Sequence, residues 1–131
     1  MNSQLIHAAL TFSDSSMKSS EISETLNLRP DEAHDAGDVF TVNGILRSRN
    51  STYWCFSTSG KVESKILEDH LKFIVKSIPK ISVLNEVSST CNRAWIDVFI
   101  FSECGFSCEL STEILQNLSE TGILLQISYY S

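Results

Sequence analysis

The chain has 131 residues, 42% of them hydrophobic and 20% charged, with a formal net charge of -6 at pH 7. That length supports one hydrophobic core and excludes reliance on two domains. A pI near 4.9 excludes a general nucleic-acid binder, because neutralising phosphates needs clustered Lys and Arg.

The first four residues, Met1-Asn2-Ser3-Gln4, lack the basic start of a signal peptide, and the apolar run after them is too short and polar for a membrane span. A cytoplasmic protein is expected, with Cys55, Cys91, Cys104 and Cys108 as free thiols. Leu5 to Phe12 reads as a first strand, closed by the polar turn Ser13-Asp14-Ser15-Ser16. From Ser19 or Ser20 the spacing becomes helical, with Ile22 and Leu26 on one side and the acids Glu21 and Glu24 near the positive end of the helix dipole. Pro30 is expected to stop this helix.

After the Gly37-Asp38 turn, Val39 to Leu46 and Tyr53 to Ser57 are rich in β-branched and aromatic residues and are separated by Arg47-Ser48-Arg49-Asn50-Ser51. They read either as a hairpin or as a long excursion ending in a core strand. Alternation sends Trp54 and Phe56 to one face, toward the core. Leu67, Leu71, Ile74, Val75 and Ile78 recur at three- and four-residue steps and predict a long helix over 64–78 that Pro79 ends. A shorter helix carrying Ile81, Leu84 and Val87 follows.

Ala94 to Phe101 is the strongest strand signal. Ala94, Ile96, Val98 and Ile100 share one face, while Trp95, Phe99 and Phe101 take the other, so a central strand covered on both faces is expected. Ser111 reads as the N-cap and Gly122 as the C-terminal stop of a last helix with Ile114, Leu115 and Leu118 inside it. Ile123 to Tyr130 is the final strand. The order strand, helix, hairpin, helix, strand, helix, strand gives an α+β domain, a mixed and largely antiparallel sheet with helices packed on it.

With these elements placed, the run from Leu26 to Asp38, Leu-Asn-Leu-Arg-Pro-Asp-Glu-Ala-His-Asp-Ala-Gly-Asp, resembles the Leu-Gly-Leu-x-Pro-Asp-x-Ala run and Gly-Asp pair of the DUF4279 family, small bacterial proteins described only as a domain of unknown function. The likeness extends to Trp54, to Leu67-x3-Leu71, to Phe106 through Leu115, and to Leu118-x3-Gly122 leading into Ile127-x-Tyr129. This chain departs from the family with Asn27 in place of glycine and His34 in place of an aromatic residue before the Gly-Asp pair. The resemblance implies a fold without an agreed activity. Some proteins that look like this in size and charge are immunity proteins of contact-dependent growth inhibition and polymorphic toxin systems, and that analogy makes neutralisation of a cognate toxin domain the leading expectation.

The residues themselves offer little catalytic chemistry. Cys104-x3-Cys108, with His7, His34, His70 and Cys91 elsewhere, falls short of the two tight ligand pairs of a structural zinc site, and it has one intervening residue too many for the usual redox pair. His34 lies between Glu32 and Asp35 and His70 beside Asp69. Both are read as ordinary surface histidines, because no nucleophile elbow, phosphate loop or paired metal-binding histidines accompany them. No enzyme activity and no cofactor are expected.

Charge is more informative. Asp14 to Asp38 carries seven acids against Lys18 and Arg29, and no Lys or Arg follows Arg93. The expected toxin-binding residues are Asp31, Glu32, Asp35 and Asp38 from the first segment and Glu103, Phe106, Glu109 and Glu113 from the second. If the two segments met on one side of the sheet, they would steer toward the basic cleft of a nuclease toxin. Phe106, Tyr53, Tyr129 and Tyr130 are the candidate aromatic anchors. The partner is the cognate toxin's C-terminal domain, with no nucleic acid or membrane, and the free protein is expected to be a monomer. A non-enzymatic small-ligand or housekeeping module whose Pro30–Asp38 loop and His34 line a pocket is the alternative.

Overall fold

The computed structural model describes residues 4–131; the expectation for the first three residues lies outside that range. The elements in chain order are β1 (Gln4–Ser15), α1 (Ser19–Leu26), β2 (Glu32–His34), β3 (Val39–Val42), β4 (Ile45–Ser48), β5 (Tyr53–Ser57), α2 (Leu67–Ser77), α3 (Ile81–Ser88), β6 (Cys91–Ser102), α4 (Thr112–Thr121) and β7 (Leu124–Tyr130). Five strands form one sheet in the order β2-β5-β1-β6-β7, and β3 and β4 form a separate two-stranded ribbon. All pairings in the large sheet are antiparallel except β6 with β7, which run parallel across the α4 connection. The class is α+β.

Alternation along the three inner strands sorts the core. Ile6, Ala8, Leu10 and Phe12 of β1, Trp54 and Phe56 of β5, and Ala94, Ile96, Val98 and Ile100 of β6 are buried together with Ile22, Leu26, Leu71, Ile74, Leu84 and Ile114 from the helices. The Trp54 indole N–H donates to Ser23 Oγ at 3.0 Å, so its polar edge is satisfied against α1.

The opposite face differs from the expectation. β6 is an interior strand, flanked by β1 and β7, yet Trp95, Asp97, Phe99 and Phe101 are only half-buried. What covers them is lateral stacking: His7 on Phe99 (4.9 Å between ring centroids), Phe99 on Tyr130 (4.9 Å), and the Arg93 guanidinium 4.2 Å over the Trp95 ring.

Two boundaries are shifted for physical reasons. Helix α1 stops at Leu26, before Pro30, because Asn27 adopts the left-handed conformation (φ 52°) and its amide and that of Leu28 return to the Glu24 and Ser23 carbonyls. Asparagine tolerates that region better than other residues with a Cβ, which accounts for its place at this turn. Helix α2 begins at Leu67 and not at Ser64, since Ser64 Oγ accepts from the Ile66 amide and the Ser64 carbonyl bonds His70. At the far end, Ser111 caps α4 by accepting from the Ile114 amide, and Gly122 closes it at φ 71°.

Between β2 and β5 the chain makes the long excursion. It crosses at Asp38, runs out as β3, turns at Asn43-Gly44 with both residues at positive φ, and returns as β4. That is the geometry of a type I′ hairpin turn, for which Asn-Gly is the preferred pair. The pairing joins β3 to β4, and β5 belongs to the main sheet.

Candidate functional site

Three of the four acids of the Pro30–Asp38 junction are engaged by the fold itself. Lys18 occupies the N-cap of α1, and an ammonium can only donate, so the helix has no cap of its own beyond a return contact from Glu21 to the Lys18 amide at 3.4 Å. Asp35 supplies it from across the chain: its carboxylate accepts from the Ser19 amide at 2.7 Å and the Ser19 hydroxyl at 2.8 Å. The backbone bond from Ser19 holds the Asp35 carboxyl below its ordinary range, against the opposing effect of burial and with help from the Ser19 hydroxyl.

Asp38 in turn accepts from the Asp35 amide at 2.7 Å. Asp31 accepts from the Ser57 amide at 2.7 Å and pairs with Lys61 Nζ at 2.6 Å, pinning the end of β5. Burial pushes the Asp31 carboxyl up, but Lys61 and the Ser57 amide together bring it below the ordinary value. Of the four acids expected here to bind a partner, only Glu32, exposed on β2, makes no hydrogen bond or ion pair among the described residues.

The second acidic segment lies elsewhere. Glu103 and Glu109 are exposed in the loop after β6, Glu113 is exposed in the first turn of α4, and Phe106 is half-buried against the core. This loop leaves the end of β6 that pairs with Gln4, while Asp35 and Asp38 lie beyond the opposite end of the sheet, past the Tyr53–Ser13–Arg93 level. At about 3.3 Å per residue, that is roughly 30 Å along the strands, with three strand spacings added across them. The two acidic segments form no joint patch.

The histidines and cysteines are also scattered. His70 is fully buried and not a surface residue, because it lies on the Leu67–Leu71–Ile74 stripe of α2. Its Nε2 meets the Ser64 carbonyl at 2.7 Å and its Nδ1 meets Thr58 Oγ1 at 2.7 Å, while Thr58 Oγ1 accepts from the Ala8 amide at 2.9 Å. These partners assign the proton to Nε2, with the threonine hydroxyl donating to Nδ1. The chain of bonds ties β1, the β5 end and α2 together, and the histidine is structural.

His7 and His34 face the open side of the sheet, His34 stacking on Tyr53 at 5.5 Å. Burial pushes the His7 imidazole below its usual value, His70 pushes it the same way, and Asp97 opposes them. Tyr53 is pushed up to about 12, first by burial and then by its neighbour Cys55. Cys104 and Cys108 are exposed, Cys55 and Cys91 half-buried. Among the described residues no three His, Cys, Asp or Glu side chains converge as metal ligands. Among the described residues no helix is long and apolar enough to cross a membrane.

Sequence reasoning missed the β3–β4 ribbon. Val39, Val42, Ile45 and Leu46 are 62%, 43%, 56% and 72% exposed. The base is fastened by the Gly37 amide to the Arg49 carbonyl (2.8 Å), the Arg49 amide to the Asp38 carbonyl (2.7 Å), and the Arg49 guanidinium 3.8 Å over the Phe40 ring. An arm held at its root carries apolar side chains into solvent. The dipeptide Asn43-Gly44 between β-branched residues was the signal available for it.

A family model described as a domain of unknown function (DUF4279) matches residues 4–131. Neither the curated proteins nor the solved structures compared with the chain gave a match. The chain belongs to the DUF4279 family.

Proposed function

We propose that the protein is a non-enzymatic binding module, an immunity protein that neutralises a cognate toxin domain by inserting the β3–β4 arm into it. The observation that supports this is the arm itself. Two strands alone are marginal in water, and four exposed apolar side chains on such a ribbon are costly to leave uncovered unless a partner takes them. The net charge of -6 favours a basic partner such as a nuclease, setting its approach while the arm sets the hold. The anchor assignment moves accordingly, from Phe106 and the tyrosines to Leu46 and Ile45, with Glu32 the acid of the first segment that the fold leaves open to a partner. The protein acts in the cytoplasm, before the toxin reaches its substrate.

The test is co-expression of the tagged chain with the toxin domain encoded beside it, scored by co-purification and by rescue of growth. Wild type forms a one-to-one complex and protects. Leu46→Asp with Ile45→Asp leaves the circular dichroism unchanged, because both side chains already face solvent, and lowers affinity by at least 100-fold, about 2.7 kcal/mol. Absence of both complex and protection for wild type overturns the reading.

A further inference from the structure

We propose that β7 is a self-pairing edge, through which two copies of this chain join their sheets antiparallel about a two-fold axis at Ile127. Among the described residues no strand pairs with the outer side of β7. That side is long and unprotected: seven residues with no proline, glycine or charge, the devices that ordinarily keep an edge from pairing.

The occupant follows from the strand's own order. With Ile127 opposite its copy, Leu124 faces Tyr130, Leu125 faces Tyr129 and Gln126 faces Ser128. Every cross-strand pair is then apolar with apolar or polar with polar, and no like charges meet although each copy carries a net -6. An axis perpendicular to the sheet also keeps both helix layers on the same side, and directly opposed residues on the same face.

The strand is prepared for this. Tyr129 Oη donates to the Ser102 carbonyl at 3.0 Å, and Tyr130 stacks on Phe99. These contacts already restrict both tyrosines, so little side-chain freedom is lost on pairing, and the rings remain 46% and 52% exposed. On the helix side, a groove of about 340 Å³ lies beside Ile127 and Tyr129, floored by Ile100 and walled by Phe106. The copy's Leu125, opposite Tyr129, faces its mouth. One strand edge buries well under the ~800 Å² per partner of a standard interface, so the dimer is weak, with a Kd on the order of micromolar or above. This edge lies on the far side of the sheet from the β3–β4 arm, and the inference does not rest on the toxin-binding reading.

Sedimentation velocity on the chain alone, over a concentration series, tests it. Wild type passes from monomer to dimer. Ile127→Lys and Ile127→Glu are each monomeric with unchanged circular dichroism, and their equimolar mixture recovers the dimer, which a folding defect would not allow. Leu46→Asp dimerises like wild type. A wild type that stays monomeric, a dimer that survives Ile127→Lys, a mixture that fails to recover it, or loss of the dimer in Leu46→Asp would each overturn the proposal.

Discussion

The two acid-bearing segments look alike in sequence and are used in opposite ways. From Asp31 to Asp38 three of four acids hold the fold together: one caps a helix, one closes a turn and one pins a strand end. From Glu103 to Glu113 the acids stand in solvent around a half-buried phenylalanine. An acidic run is a binding surface only where the main chain has not already claimed its oxygens.

Removing side chains in pairs sharpens this contrast. The largest effect is expected at Asp35. Asp35→Ala strips the carboxylate from the Ser19 amide at the start of α1 and should cost about 1–2 kcal/mol, the range for a lost N-cap, read as a lower urea midpoint. Asp31→Ala follows at roughly 0.5–1 kcal/mol, because its Lys61 pair and its Ser57 contact are both solvent-exposed. Glu103→Ala and Glu109→Ala should stay within about 0.5 kcal/mol. If Glu109→Ala destabilised as much as Asp35→Ala, the contrast would be broken.

Acid titration checks the same point without changing the chain. The lowered carboxyls of Asp31 and Asp35 bind fewer protons folded than unfolded, so their stabilisation is complete above the ordinary carboxylate range, about pH 4, and is lost as pH falls below it. His7 is lowered too, so its contribution is complete above about pH 6.5 and is lost as pH falls through the range beneath. Urea midpoints between pH 8 and 3 should decline in two stages, and Asp35→Asn should flatten only the acid one.

Much of the fold was legible because alternation and helical spacing are local. Trp54 and Phe56 went to the core as their parity required, and the buried stripe of β6 ran through Ala94, Ile96, Val98 and Ile100. Ser111 and Gly122 marked the ends of α4 because caps are chemistry at a single residue. β2 was not legible: three residues, Glu32 to His34, have no period to read and are strand only because β5 lies beside them. Nor was the burial of His70 read, although it falls on the Leu67–Leu71–Ile74 stripe, because a polar residue on an apolar stripe needs partners that only the tertiary structure names. The candidate site suffered most. Whether Asp31 and Asp35 were free depended on Ser19, Ser57 and Lys61, up to thirty residues away.

The pairing of β1 with β6 sets how this chain must fold. Gln4 meets Ser102 and Ser15 meets Cys91, so the two longest strands find each other across about 80–100 residues of chain, a loop closure costing about 4 kcal/mol of entropy before any contact rewards it. Such a topology folds in milliseconds to seconds and exposes its apolar strands meanwhile. On a ribosome, β1 waits with one edge unpaired until residues 91–102 have emerged, and the sheet assembles around its oldest strand only when most of the chain is made.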